Sequence, residues 1–285
     1  MIVEAPAKLN LCLYVGPVRD DGLHEICSLF APLGLTDRLK VTPSERDEVV
    51  VPDSLGPGPD LTERALVALR EAGWSGDGVR IELEKEIPVA AGLGGGSGDA
   101  AAALRLADDE IAEVRLLEIA RKLGADVASQ LRPRFCLVGG AGEDVTDLPP
   151  PDPFHAVVVT DPDGLSTPEV YAASDRLGTT RSAAELGELR EQLRAAAGGG
   201  AHPLDYGSLL HNDLAEAAIS LHPRLARTLE ALGAAGADLA FVTGSGPTAI
   251  GLCRDRAQAD AVAGALVPAV ADGGRRVIVC EAGRA

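Results

Sequence analysis

An α+β fold in two domains is what this sequence predicts, on three observations. At 285 residues the chain exceeds the ~100–200 residues of one ordinary domain. Segments that alternate apolar and polar residues, such as 9–15 and 79–83, are interleaved with segments of helical spacing, such as 61–72 and 111–123, in both halves. A proline-dense tract at 148–153 reads as an extended connection, dividing an N-terminal domain at 1–150 from a C-terminal domain at 151–285.

Taken in order, residues 9–15 and 24–35 read as strands, separated by turn chemistry at Arg19-Asp20-Asp21-Gly22. Residues 38–43 and 48–51 read as short strands of a meander, and 52–59 as a Pro/Gly loop. Leu61, Ala65, Leu66 and Leu69 share one helix face, and Gly73 is the stop. In 79–83, Val79, Ile81 and Leu83 face one way while Arg80 and Glu82 face the other. Residues 111–123 make an amphipathic helix ended by Gly124, and short strands follow at 135–138 and 156–160. Helices are expected at 181–197, 209–221 and 223–232. Strands at 239–242 and 248–252 flank a turn at Thr243-Gly244-Ser245-Gly246-Pro247, before a helix at 257–271 and a last strand at 276–281.

Composition narrows the function. Net charge is −17 with no basic stripe, so no nucleic-acid partner is expected. No apolar run reaches the ~18–20 residues of a membrane-spanning helix, so no membrane partner is expected either. The five cysteines (Cys12, Cys27, Cys136, Cys253, Cys280) are widely spaced and form no C-x-x-C pair, which suits reduced thiols in a cytoplasmic protein. Aromatic residues are only 3% of the chain, so Ala, Val and Leu must build the cores. The acidity does not exclude a small-molecule partner, and the sequence leaves both a monomer and a homodimer open.

The chemistry concentrates at Pro88-Val89-Ala90-Ala91-Gly92-Leu93-Gly94-Gly95-Gly96-Ser97-Gly98, which runs into Ala100-Ala101-Ala102-Ala103. Glycine lets backbone approach an anion closely and takes positive φ without penalty. The first N–H groups of the following helix then point at that anion, aided by the helix dipole. Ser97 adds a hydroxyl, either to a phosphate or to a magnesium ion carried on it. No lysine follows the glycines, so this is not the G-x-x-x-x-G-K-[ST] loop. A flexible glycine hinge is the competing explanation.

Several motifs together resemble one family, the GHMP kinases, and within it the branch acting on a cytidine-diphosphate-linked methylerythritol. Besides the glycine loop these are Ala5-Pro6-Ala7-Lys8-Leu9-Asn10, the Arg19–His24 segment, Gly124-Ala125-Asp126-Val127, Leu210-His211-Asn212-Asp213-Leu214 and Thr243–Pro247. The resemblance implies a two-domain GHMP kinase fold, N-terminally like ribosomal protein S5 domain 2 and C-terminally a ferredoxin-like α/β sandwich. It implies that ATP, with Mg2+ carried by the nucleotide, phosphorylates a substrate hydroxyl in the non-mevalonate isoprenoid pathway. Carried over by motif, Asp126 receives the hydroxyl proton and Lys8 neutralises charge on the moving phosphoryl group. Pro88, Gly92, Leu93, Gly94, Gly95, Gly96, Ser97, Gly98 and Asp60 fall to the nucleotide, and Asn10, Leu23, His24, Asp126, Thr167 and Tyr171 to the substrate.

The chain departs from the family's pattern at identifiable places. Leu23 stands where an aromatic residue usually stacks on cytosine, leaving Tyr171 to hold the base. Gly98-Asp99 replaces Ser-Asn, removing a hydroxyl and placing a carboxylate that is expected to repel phosphate unless magnesium intervenes. Ala128-Ser129-Gln130 replaces a proline and aromatics after Asp126-Val127, and Asp60-Leu61 replaces Asn-Leu.

Overall fold

The structure, a computed structural model, describes residues 1–52, 60–270 and 274–284. Most of the loop expected at 52–59 and the last residue of the helix expected at 257–271 lie outside the described residues. Two compact units emerge, each assembled from separate stretches of chain: residues 1–8, 35–89 and 94–133 form the first, and 9–34, 90–93 and 134–285 the second. The proline tract at 148–153 lies inside the second unit. Two long strands, β1 (Ile2–Val18) and β2 (His24–Pro43), contribute residues to both.

Strand β2 runs unbroken through residues 36 and 37, where the sequence suggested an interruption. Asp37 does not break it because its buried carboxylate is fully engaged, as described below.

In the first unit, Arg38 to Pro43 of β2 pair antiparallel with β4 (Val79–Glu84), Arg38 opposite Glu84 and Pro43 opposite Val79. Strand β3 (Glu48–Val50) lies parallel along the other edge of β4. The alternation read from the sequence holds, since Leu39, Val41, Ile81 and Leu83 all enter the core. Helices α1 (Leu61–Glu71), α2 (Gly95–Leu104), α3 (Glu113–Leu123) and α4 (Val127–Gln130) complete that core. The methyl side chains of Ala100, Ala101, Ala102 and Ala103 are fully buried and let neighbouring helices approach closely, so the larger Leu66, Leu69, Leu104 and Leu116 fill the remaining space. Each buried leucine contributes roughly 1.5–3 kcal/mol relative to exposure.

The second unit centres on an antiparallel sheet in the order β10 (Arg276–Ala282), β7 (Phe154–Thr160), β9 (Ala249–Cys253), β8 (Leu239–Val242). Val157 sits between Val279 on one side and Gly251 on the other. Elsewhere Ser28 to Phe30 of β2 pair with β5 (Cys136–Gly139), which pairs in turn with β6 (Asp144–Asp147). Helices α5 (Thr167–Leu177), α6 (Ala183–Ala197), α7 (Ala215–Leu221), α8 (Arg224–Ala234) and α9 (Arg256–Val270) belong to this unit. The start of α6 is fixed by a capping box, in which Ser182 and Glu185 each bond the other's backbone N–H. All five cysteines are buried free thiols of this unit.

One expectation is corrected here, and one helix is added. The helix expected at 209–221 begins only at Ala215, after a 3₁₀ turn at Pro203–Leu209. Asn212 is the reason: its side chain bonds backbone carbonyls of the β8 end, which holds the chain out of helical geometry. Helix α5 was not foreseen, although Pro168 in its first turn is a usual helix opener. Among the described residues no helix is long and apolar enough to cross a membrane.

Candidate active site

In the first unit the glycine loop ends in a helix mouth. Gly94 caps α2 in the left-handed region (φ 69°) with no side chain available to bond the first turn. The amide of Gly98 closes the first helical bond on the Gly94 carbonyl at 2.9 Å. The N–H groups of Gly95, Gly96 and Ser97 therefore have no intrahelical acceptor, which is the arrangement that receives anions. Gly96 is exposed, and a Cβ built there would meet nothing of the protein nearer than Leu61 Cδ1 at 3.9 Å.

Lys8 and Asp126 flank this mouth. The Lys8 stem lies across Gly94 so closely that a Cβ there would fall 2.7 Å from Lys8 Cγ. Its ammonium reaches Asp126 Oδ2 at 3.2 Å, with the lysine 6% exposed and the carboxylate more open. Asp126 stands at the N-terminus of α4 without spending its side chain on a cap, which leaves the carboxylate for Lys8. A lysine packed on the helix cap and paired with a partly open carboxylate has the components of phosphoryl transfer to an alcohol: charge neutralisation and a proton acceptor.

Asp99 behaves otherwise than expected. It is the fifth residue of α2, 2% exposed, and its Oδ2 accepts a 2.5 Å bond from Lys85 Nζ. It is buried against Lys85, whose ammonium opposes its charge. Asp37, fully buried on β2, completes the cluster. Its Oδ1 accepts from the amides of Glu86 (2.6 Å) and Ile87 (2.8 Å), and its Oδ2 accepts from Lys85. Burial pushes the Asp99 carboxyl up to about 7 in spite of Lys85. Burial also works against the Lys85 ammonium, but Asp99 and Asp37 outweigh it and hold that pKa above the ordinary lysine value.

Asp60 caps α1, its Oδ1 accepting from the Glu63 amide at 2.9 Å. Gly98 is buried, and a Cβ on it would make only ordinary contacts, with the Pro6 carbonyl at 3.4 Å and Gln130 Nε2 at 3.6 Å. That Nε2 is a buried donor without a hydrogen-bond partner.

The second unit holds the other candidates. Gly92 (φ 76°) is pressed against the Thr243–Pro247 loop, where a Cβ would fall 2.9 Å from the Thr243 carbonyl. Asn10 donates its amide to Thr243 Oγ1 and its Nδ2 to Ser28 Oγ, both at 2.9 Å. Asn212 Nδ2 donates to the carbonyls of Val242 (2.7 Å) and Gly244 (2.8 Å). The two glycine segments of this unit also meet backbone to backbone, since a Cβ on Gly244 would fall 2.9 Å from the Gly92 carbonyl. Thr167 Oγ1 and Ser245 Oγ are 2.9 Å apart. The His24 ring lies 5.1 Å from the Tyr171 ring at 34°, with Nδ1 on the Gly16 carbonyl (2.9 Å) and Nε2 3.4 Å from Asp175. Leu23 is half exposed beside His24 in sequence.

Sequence reasoning brought together Lys8, Asp126 and the helix mouth, and separately His24 with Tyr171. It missed Lys85, Asp37, Gln130, Asp175 and the part played by Asn212. Lys85 could have been suspected as the cation entering the loop two residues before Ile87-Pro88. Asp213, quoted with its motif, turns out to hold Arg181 through two 2.7 Å bonds while receiving the Val15 amide at 3.0 Å. Burial pushes its carboxyl up, but bonds from His211, Arg181 and Val15 prevail and hold it below the usual carboxylate range.

Residues 60–140 match the family described as GHMP kinases N terminal domain, and residues 204–272 the one described as GHMP kinases C terminal. The chain is 40% identical over 274 residues to the 4-diphosphocytidyl-2-C-methyl-D-erythritol kinase of Streptomyces avermitilis, covering 93% of this chain and 92% of that protein. Its identity to the enzyme of the same name from Thermobifida fusca is 41% over 284 residues, covering 93% and 90%. A crystal structure of 4-(cytidine 5'-diphospho)-2C-methyl-D-erythritol kinase superposes with a TM-score of 0.80 at 36% identity, covering 100% of both chains. Homoserine kinase from Cytophaga hutchinsonii shares the fold, with a TM-score of 0.74 at 20% identity, covering 98% of this chain and 94% of that one. The chain belongs to the GHMP kinases and, among them, to the 4-diphosphocytidyl-2-C-methyl-D-erythritol kinase family.

Proposed function

We propose that the protein transfers the γ-phosphoryl group of ATP to a hydroxyl of 4-(cytidine 5'-diphospho)-2-C-methyl-D-erythritol. The product is the 2-phosphate, formed in the methylerythritol phosphate route to isoprenoids. The observation that carries the reading is the Lys8–Asp126 pair at 3.2 Å, with the lysine stem lying over Gly94 at the mouth of α2. The names of the relatives, matched over nearly their whole length, support the choice of substrate.

In this reading the amides of Gly95, Gly96 and Ser97 cradle the phosphates, where the helix dipole favours negative charge. Asp126 takes the proton from the attacking hydroxyl, and Lys8 keeps Asp126 oriented while drawing off charge that builds on the transferred group. Burial of Lys8 matters here, because the same charge counts for more away from water. His24 and Tyr171 receive the cytosine, Leu23 covers it with apolar surface, and Asn10 and Thr167 bond the remainder of the substrate. Pro88, Gly92 and Leu93 shape the approach to the loop, and Asp60 stations α1 near the nucleotide's base.

Magnesium suits the residues present as a passenger on the nucleotide. Among the described residues no group of three or more His, Cys, Asp or Glu side chains is arranged to hold a metal, and Asp99 is engaged by Lys85. A hard cation that keeps phosphate and water ligands needs little more than Ser97 from the protein. When bound it neutralises charge on the phosphate oxygens. We place the enzyme in the cytoplasm, as its five free buried thiols suit a reducing compartment.

The test is an ADP-release assay with ATP, magnesium and, separately, the cytidine-diphosphate alcohol, homoserine, mevalonate and galactose. Turnover confined to the first, with a new phosphomonoester on the substrate's 2-position by phosphorus NMR, is the expected result. Turnover with another alcohol alone would reassign the substrate, and ATP binding without any turnover would remove the catalytic reading.

A further inference from the structure

We propose that Lys85, clamped between Asp37 and Asp99, is a positioning residue for the nucleotide: it ties the first turn of α2 to β2 and to the segment leaving β4. The inference rests on the reading of the α2 mouth as the phosphate site.

The connections are explicit. Asp37 on β2 fixes the chain just past β4 by accepting the amides of Glu86 and Ile87. The same carboxylate receives Lys85, whose ammonium reaches on to Asp99 on α2 at 2.5 Å. Nζ also lies against the first residue of the helix, since a Cβ on Gly95 would fall 3.3 Å from it and 3.0 Å from Ile87 Cγ2. One ammonium thus touches the helix at its first and fifth residues and anchors both to strand β2.

Stability is a poor explanation for this cluster. Three ionisable groups taken out of water recover their desolvation cost only with good geometry and full hydrogen bonding, and apolar side chains of similar volume commonly do as well or better. Nor is the cluster saturated, because Asp99 Oδ1 is buried without a hydrogen-bond partner. What the arrangement supplies is location. Glycines at 94, 95, 96 and 98 leave the first turn of α2 with little intrinsic stiffness. A fixed cation beside Gly95 and Asp99 restores it, and cancels the one carboxylate that would otherwise oppose phosphate from within the helix.

The experiment compares the full-length wild type, Lys85→Met and the double variant Lys85→Met/Asp99→Leu in the ADP-release assay at varied ATP, alongside thermal melts. In the double variant the buried Asp99 carboxyl, left without its partner, is gone and Asp37 keeps its two backbone donors. Lys85→Met should raise the KM for ATP at least about tenfold with kcat changed by less than about threefold, and lower the melting temperature. The double variant should recover the melting temperature while the KM stays high. Recovery of both together would overturn the proposal and leave only a packing role, as would an unchanged KM in Lys85→Met. Should that single variant not fold, the double variant decides the matter alone. A wild type that neither binds nor turns over ATP would sink the functional reading itself, whereas an active wild type with insensitive variants sinks this inference only.

Discussion

Replacing Gly96 by alanine separates what the protein requires of its glycine loop from what a ligand requires. Nothing in the fold demands glycine at 96: the residue is exposed, its φ is not positive, and a Cβ would meet only Leu61 Cδ1, at 3.9 Å. Alanine is favoured over glycine inside helices by up to about 1 kcal/mol, and at the second residue of α2 about half of that is reasonable. At roughly 2–4 °C per kcal/mol for a chain of this size, the melting temperature should rise by about 1–2 °C. The same methyl group would stand where the phosphates approach the Gly95–Ser97 amides. A hydrogen bond to a charged group is worth roughly 1.5–3 kcal/mol, so losing one raises the KM for ATP about 10- to 100-fold. Differential scanning fluorimetry and ADP release at varied ATP read the two effects on one preparation. A variant that melts higher and keeps its KM would refute the cradle, since it would mean phosphate never comes near residue 96.

Four further outcomes are expected. Gly94→Ala should lower both stability and kcat, since it forces a left-handed alanine at about 1–2 kcal/mol and drives a methyl into Lys8 Cγ, 2.7 Å away; melting and steady-state kinetics check it. Asp126→Ala should abolish turnover while ATP affinity, by equilibrium titration, stays within about threefold. Gly98→Ser should stabilise the protein by about 1 kcal/mol in urea unfolding, adding helix propensity and offering the partnerless Gln130 amide an acceptor, and a loss of stability would contradict that geometry. Asp99 gives a pH signature: with its folded pKa raised to about 7 against about 3.9 unfolded, the native state holds a proton that the unfolded chain has released. Its contribution therefore makes stability fall as pH rises from about 4 towards 7, a slope that Asp99→Asn should flatten in urea titrations.

How much of this was legible in the sequence varies with the range of the interaction. Local rules sufficed for β4, where Ile81 and Leu83 alternate into the core, and for Gly94, whose place before an alanine run announces a helix start. They also sufficed for Arg19–Gly22, since Gly22 takes φ 81° and Asp21 Oδ1 bonds the Leu23 amide. Motif context supplied Lys8 with Asp126, partners over a hundred residues apart. Local rules failed where a side chain's destination lies far along the chain. Asp37 and Lys85 are separated by 48 residues, and neither residue type nor spacing hints at burial. Asn212 resembles a helix opener until the β8 carbonyls it bonds are known. Strand β6, four residues with an aspartate at each end, owes its existence to pairing with β5 and carries almost no signal of its own.

The distribution of thiols has a practical consequence. Every cysteine belongs to the second unit, and the first contains none. Burial pushes Cys136 up to about 12 and Cys27, Cys253 and Cys280 up to about 11, so hardly any reactive thiolate exists while the chain is closed. An alkylating reagent thereby becomes a clock for openings of one half of the molecule, ticking when β2, β5, β9 or β10 lets water in and silent to whatever the helix-mouth half does meanwhile.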